Sequence, residues 1–142
     1  MTETETLDDA FKDALDRYQA GEPAEDLIPV FKDICDRARK SSPAWTCLAW
    51  LYLLAEKPNS ALKAAQKAVK LNPQDPQAHV NLAIAMLETG QKGVRKHVEV
   101  AQQIAMAVPE LKQELEDSFA DGLKRKPEWF SLERVQAWIF DG

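Results

Sequence analysis

The sequence predicts an all-α protein, and three observations support this fold class. Apolar residues recur at spacings of three and four along nearly the whole chain, the pattern of amphipathic helices. Proline, glycine and asparagine interrupt the pattern at intervals that give about seven or eight helices of ordinary length. No stretch alternates apolar and polar residues over a length that favours a β-strand.

The first two helices are predicted before residue 41. Apolar residues from Leu7 to Tyr18 share one face of the first helix, and Gly21 to Pro23 ends it. The second helix carries its apolar face from Leu27 to Ala38. Pro29 suits a first turn but not a helix interior, so this helix is expected to begin later than the pattern suggests.

Four further helices are predicted between residues 41 and 109, delimited by serine, aspartate, asparagine, glycine and proline. Serine or aspartate before a proline is a helix start, because the side chain caps free amides and proline lacks one. The delimiting signals are Ser41-Ser42-Pro43, Pro58-Asn59-Ser60, Asn72-Pro73, Asp75-Pro76, Thr89-Gly90 and Pro109.

The last part of the chain predicts two more helices. One holds apolar residues from Leu111 to Leu123 and ends in the basic joint Lys124 to Pro127. The other runs from Trp129 to Phe140 with its apolar residues on one helical face.

Composition restricts the class of function. The chain has 142 residues, a net charge of −5 and two cysteines, which is typical of a single cytoplasmic domain with reduced thiols. The acidic balance disfavours nucleic acid as a partner. No run reaches the roughly 18 apolar residues that favour membrane insertion, and the acidic N-terminus is unlike a signal peptide.

One segment carries a more specific pattern of large and small apolar residues. Residues 43–75 resemble a complete repeat of the tetratricopeptide-repeat family, with one departure, since Ala65 stands where the family has an aromatic residue. The positions that match are Trp45, Leu48, Ala49, Tyr52, Ala61, Ala68 and Pro73.

The resemblance implies a domain organisation for the whole chain. A shift by the family period of about 34 residues places His79 on the Trp45 position and gives a looser repeat at 76–109. Residues 7–40 are expected to form a degenerate helical hairpin, 110–142 capping or docking helices, and 1–6 a flexible acidic tail. The expected fold is a short antiparallel helix-hairpin solenoid, a tetratricopeptide-like superhelix with C-terminal capping helices.

The resemblance also implies a partner-binding groove on the concave side, formed by the first helix of each repeat. In the chaperone-binding branch of the family, lysine and asparagine in this groove clamp a C-terminal carboxylate. Asn81 fits that pattern, but Thr46 and Trp50 do not, so a carboxylate clamp is not expected. The predicted groove is mostly apolar and comprises Thr46, Trp50, Leu53, Val80, Asn81, Ile84 and Leu87.

Aromatic residues are concentrated at the C-terminus, and three roles for them remain open. They cap the last hairpin, fill the groove until a partner displaces them, or dock into another protein as a hot spot. The residues concerned are Trp129, Phe130, Trp138 and Phe140.

Catalytic chemistry is not expected. The two histidines show no metal-ligand spacing with each other or with a cysteine, and no glycine-rich phosphate loop is present. No nucleophile has an evident base, so no catalytic residue, metal or cofactor is predicted. The basic clusters 91–97 and 124–126 would form a weak site for an acidic partner only if they shared a face.

The sequence therefore predicts a non-catalytic adaptor or assembly factor that binds a client polypeptide in an apolar groove. The alternative is a structural subunit of a larger complex, or of a homodimer, held through its aromatic C-terminus. In both cases the partner is another protein or peptide of unknown identity.

Overall fold

The computed structural model describes residues 6–141, which form eight helices and no strand. The fold class is therefore all-α, as the sequence predicts. The helices are α1 (Leu7–Gln19), α2 (Ala24–Arg37), α3 (Ser42–Leu54), α4 (Pro58–Leu71), α5 (Pro76–Glu88), α6 (Val94–Ala107), α7 (Pro109–Arg125) and α8 (Phe130–Phe140).

Consecutive helices pack against each other as a series of hairpins, and the most extensive contacts join α3, α4, α5 and α6. Small side chains make this close packing possible. In α4, the buried face consists only of alanines, so neighbouring helices can approach it closely. The result is the predicted short solenoid, in which α1, α3 and α5 are the first helices of successive hairpins.

The predicted start signals act as helix caps. The Ser41 hydroxyl accepts a hydrogen bond from the Ala44 amide, and the Asp75 carboxylate accepts one from the Gln77 amide. Thr6 also caps a helix, because its hydroxyl accepts a hydrogen bond from the Asp9 amide. Thr6 thus belongs to the start of α1, and the rest of the predicted acidic tail, 1–5, lies outside the described residues.

The expected late start of the second helix is wrong. Helix α2 begins at Ala24 and includes Pro29 in its interior. The ring of Pro29 is exposed, so it meets solvent rather than a neighbouring helix. Burial of Leu27 and Ile28, which face the core, stabilises the turn that precedes it.

The two C-terminal helices pack on different parts of the solenoid. Helix α8 packs against both α5 and α6, and buries Leu132, Val135 and Ile139. The Gln102 amide donates a hydrogen bond of 3.1 Å to the carbonyl of Ile139, which fixes the end of α8 on α6. Helix α7 packs on α6 at its start and then reaches the C-terminal ends of α1 and α3.

Within residues 6–141 no helix is long and apolar enough to cross a bilayer.

Candidate protein-binding cleft

Most of the predicted groove is covered by the chain itself. Leu53, Val80 and Ile84 are fully buried, and Leu87 is half-buried against the same apolar cluster. This cluster also contains side chains of α7 and α8. Within residues 6–141, the C-terminal helices therefore occupy the face of α3 and α5 that the sequence predicts as an open apolar groove.

The covering helices meet α3 at two points. The Trp129 ring packs on the Trp50 ring, with centroids 5.4 Å apart. Gly122 of α7 lies so close that an added Cβ would stand 2.9 Å from Cη2 of Trp50 and 2.7 Å from Cδ1 of Leu132. Glycine is thus required where α7 crosses α3.

Asn81, which the sequence predicts to orient a client backbone, has hydrogen-bond partners within the chain. It is fully buried, and its side-chain amide donates a hydrogen bond of 3.0 Å to the carbonyl of Thr46. Its side-chain oxygen accepts a hydrogen bond of 2.8 Å from the side-chain amide of Gln77. Asn81 is thus a polar bridge between α3 and α5, and its contact with a client stays a prediction that requires these bonds to break.

Part of the concave side remains open between α1, α3 and α7, and we name it the α1–α7 cleft. Thr46 and Trp50 are the two predicted groove residues that line it. Its volume is about 490 Å³. The lining residues are Leu15, Tyr18, Gln19, Phe31, Thr46, Cys47, Trp50, Leu51, Gln77, Asp117, Ser118 and Asp121.

A hydrogen-bonded network closes one end of the cleft. The Tyr18 hydroxyl donates to Asp121 and accepts a bond of 2.8 Å from the Trp50 indole. The Arg125 guanidinium pairs with Asp121 at 3.0 Å and lies 3.7 Å from the centre of the Tyr18 ring. Burial and the bond to Asp121 raise the pKa of Tyr18 well above its usual value, so the phenol stays protonated.

The basic residues at the end of α7 also hold α7 against α1 and α3. The Arg125 guanidinium donates a hydrogen bond of 2.9 Å to the carbonyl of Tyr18. The Lys126 ammonium donates one of 3.2 Å to the carbonyl of Leu53, near the negative end of the α3 dipole. Both side chains thus have partners within the chain, and neither is presented as a surface for an acidic partner.

The four C-terminal aromatic residues have different environments. Trp129 is buried, and its indole donates a hydrogen bond of 2.8 Å to Glu88. Trp138 and Phe140 are half-buried, and the Phe140 ring meets Phe119 edge to face. Phe130 alone is largely exposed, at 72%.

The thiols are unsuited to act as nucleophiles. Burial raises the pKa of Cys35 and of Cys47 to about 12. Because the thiolate is the reactive form, almost none is present at neutral pH.

The two histidines, distant in sequence, meet between α5 and α6. Nδ1 of His79 lies 3.1 Å from Nδ1 of His97, and Nε2 of His79 lies 2.8 Å from the carbonyl of Pro73. In the part of the chain from residue 6 to residue 141, no three histidine, cysteine or acidic side chains form a cluster that could hold a metal.

Sequence reasoning missed the walls that α1 and α7 contribute to the cleft. Leu15 and Tyr18 read only as the apolar face of a first helix. Asp117 and Asp121 are spaced four apart, which places them on one face of α7. This shared polar face was the one feature of the sequence that could have indicated the α7 wall. That α7 lies against α1 depends on a contact between residues more than 100 positions apart.

Comparison with known proteins supports the repeat assignment. Residues 42–85 match the family model for the tetratricopeptide repeat. The matched region contains the predicted repeat 43–75 and most of α5, so the resemblance read from the sequence is confirmed there. No sequence among the curated proteins matches the chain.

Solved structures share the fold over almost the whole chain. Two structures of SycD, the type III secretion translocator chaperone of Yersinia enterocolitica, superpose with a TM-score of 0.69. Their identities are 20% and 18%, covering 94% and 98% of this chain and 93% and 91% of theirs. A T3SS complex from Aeromonas hydrophila contains a chain that is 21% identical, also with a TM-score of 0.69, covering 94% of this chain and 83% of its own. At these identities the likeness establishes a tetratricopeptide-like helical fold.

Proposed function

We propose that this chain is a non-catalytic adaptor or assembly factor that binds a segment of a client polypeptide in the α1–α7 cleft. The observation that carries the proposal is an open cleft of about 490 Å³ on the concave side, with an apolar floor. Half-buried Leu15 lies at this floor with buried Phe31 and Trp50 beneath it, and exposed Gln19 and Asp117 stand at the rim. Such a site suits an apolar side chain of the client, with polar backbone groups bonded at the rim.

The fold and the local chemistry agree with this proposal. Known structures of similar fold include a translocator chaperone, and a chaperone holds another polypeptide. The raised pKa of both thiols removes the cysteines as nucleophiles at neutral pH. Client binding at the covered residues Leu53, Val80, Ile84 and Leu87 stays a prediction, and it requires α7 and α8 to move away.

The proposal is tested by filling the cleft without changing its charge. Ser118 is half-buried and lines the cleft, whereas Ala120 is exposed on another face of α7. Ser118→Trp is expected to abolish capture of the client from native cell extract and to weaken its binding at least tenfold in titration calorimetry with the purified client. Ala120→Trp, the matched control, is expected to leave both unchanged. Equal binding by the two variants, with unaltered circular dichroism, would show that the cleft is not the site.

One observation favours the alternative of a structural subunit. Phe130 is the first residue of α8 and exposes most of its side chain, although its three aromatic neighbours in the C-terminal segment pack on the solenoid. A partner that covers Phe130 would hold the chain in a complex or a homodimer through this end.

A further inference from the structure

A second concave surface lies on the opposite side of α3 and has no part in the proposed client binding. Helices α2, α3 and α4 line it, and we name it the α2–α4 pocket. Its volume is about 480 Å³. The α3 residues that line it are offset by about half a turn from those that line the α1–α7 cleft, so the two sites do not overlap.

The rim of the α2–α4 pocket is basic. Four cations line it, Lys32 and Arg39 from the α2 side and Lys63 and Lys67 from α4, against the single carboxylate of Asp36. Among residues 6–141, none of these four cations has a carboxylate within ion-pair distance. The whole chain has a net charge of −5, so this rim is opposite in sign to the chain as a whole.

The floor of the pocket is apolar and aromatic. Trp45, Leu48 and Tyr52 supply it from one face of α3, and Trp45 and Tyr52 remain half-buried. The Trp45 indole donates a hydrogen bond of 2.9 Å to the carbonyl of Arg39, which fixes the ring. The small side chain of Ala64 on the α4 wall leaves room above this floor.

The charge pattern of α4 is unfavourable for the helix by itself. Between Pro58 and Leu71 there is no acidic residue, and Lys63 and Lys67 are spaced four apart on one face. Like charges at this spacing repel each other and destabilise the helix. A carboxylate supplied from outside the chain would remove this repulsion.

We propose that the α2–α4 pocket binds an acidic polypeptide segment. An aromatic or large aliphatic side chain of the segment contacts Trp45, Leu48 and Tyr52, while its carboxylates pair with Lys63 and Lys67. Because the two sites face opposite sides of α3, the chain can hold a client and an acidic partner at the same time.

A polypeptide fits the pocket better than a nucleic acid. Nucleic acids are bound by basic stripes that follow successive phosphates. Here the cations surround one pocket of about 480 Å³ with an apolar floor, and they do not follow a continuous stripe.

The experiment is a selection from a random dodecapeptide display library on the wild-type protein. Enriched peptides are synthesised with a fluorescein label and titrated against variants by fluorescence anisotropy. Peptides with several carboxylates and an aromatic or large aliphatic residue are expected. Lys63→Glu with Lys67→Glu is expected to weaken their binding at least tenfold. Both lysines are exposed, so the fold is expected to stay intact.

The matched control carries the same change in net charge at a distance from the pocket. Lys92→Glu with Lys112→Glu alters two exposed lysines outside it, and less than a threefold change is expected. Ser60→Phe, at the exposed rim, fills the pocket without a change in charge and is expected to weaken binding at least fivefold. Circular dichroism verifies that each variant is folded.

Three results would overturn the proposal. The first is the absence of an enriched acidic class, and the second is equal weakening by the two double variants. The third is tight binding of a labelled single-stranded RNA that Lys63→Glu with Lys67→Glu abolishes, because the pocket would then recognise phosphates. Ser118→Trp is expected to leave peptide binding unchanged, so failure of this proposal is distinct from failure of the α1–α7 cleft.

Discussion

Gly122 is the residue on which the crossing of α7 over α3 depends. Helix propensity alone predicts that alanine at an interior helix position stabilises by about 1 kcal/mol relative to glycine. At this position, an added Cβ would stand 2.9 Å from a carbon of the Trp50 ring. Cδ1 of Leu132 can move away, but the Trp50 ring is held by Tyr18 and Trp129.

We therefore expect Gly122→Ala to lower the free energy of unfolding by about 1–3 kcal/mol, the usual cost of overpacking. Urea denaturation followed by circular dichroism measures it. Ala120→Gly, at an exposed position of the same helix, is the control, and its expected cost of about 0.5–1 kcal/mol reports helix propensity alone. A stabilising Gly122→Ala would mean that α7 does not approach α3 so closely.

Two residues that the sequence singled out have packing roles that a pattern could not reveal. Asn81 occupies a position where the family clamps a carboxylate, yet its amide bridges Thr46 and Gln77. Trp129 belongs to the predicted docking tail, yet its ring is buried on Trp50. In both cases the residue type is compatible with two environments, and only the neighbouring helix selects one.

At the scale of elements, the hairpin of α5 and α6 contains one histidine, His97, whose lowered pKa links stability to pH. Desolvation, His79 and Lys96 together lower the pKa of His97. The unfolded chain, whose histidines titrate near about pH 6.5, then binds more protons than the folded chain in the range below that value. Stability conferred by neutral His97 is therefore present above the unfolded pKa and lost as pH falls through the folded pKa.

We expect the free energy of unfolding to decrease as pH falls from 7.5 to 5, and His97→Gln to reduce this dependence. Denaturant titrations at several pH values measure it. His97 is half-buried on the hairpin, so the substitution is not expected to disturb the rest of the solenoid. An unchanged slope in His97→Gln would assign the pH dependence to other groups.

At the scale of the whole molecule, the two proposed functions differ in what holds the chain to its partners. If the chain is an adaptor that binds through the α1–α7 cleft, Phe130→Ser is expected to leave the apparent molecular mass of the protein unchanged, both in native extract and in purified form. One exposed side chain is also far smaller than the roughly 800 Å² that each partner buries in a stable interface.

Sedimentation velocity and size-exclusion chromatography test this expectation. Met106→Ser is the matched control, since Met106 is another apolar residue with most of its side chain exposed. Dissociation of a larger assembly by Phe130→Ser, but not by Met106→Ser, would establish the structural-subunit alternative instead.

The sequence by itself determined the helices, most of their ends and the central repeat. Spacings of three and four specify an amphipathic helix wherever they occur, and capping residues such as Ser41 and Asp75 act on amides two or three residues away. The size pattern of 43–75 determined how α3 and α4 pack, because small residues permit close approach only at certain positions. All these interactions are local, so local sequence is sufficient to predict them.

Only the tertiary structure decided which part of the concave side is open. The path of α7 depends on contacts of Asp121 and Arg125 with Tyr18, more than 100 residues earlier in the chain, and on the absence of a Cβ at Gly122. An amphipathic helix can bury its apolar face against several partners, and its sequence does not state which one. For this reason, some residues of the predicted groove lie in a covered core over α5, and others line the open cleft between α1 and α7.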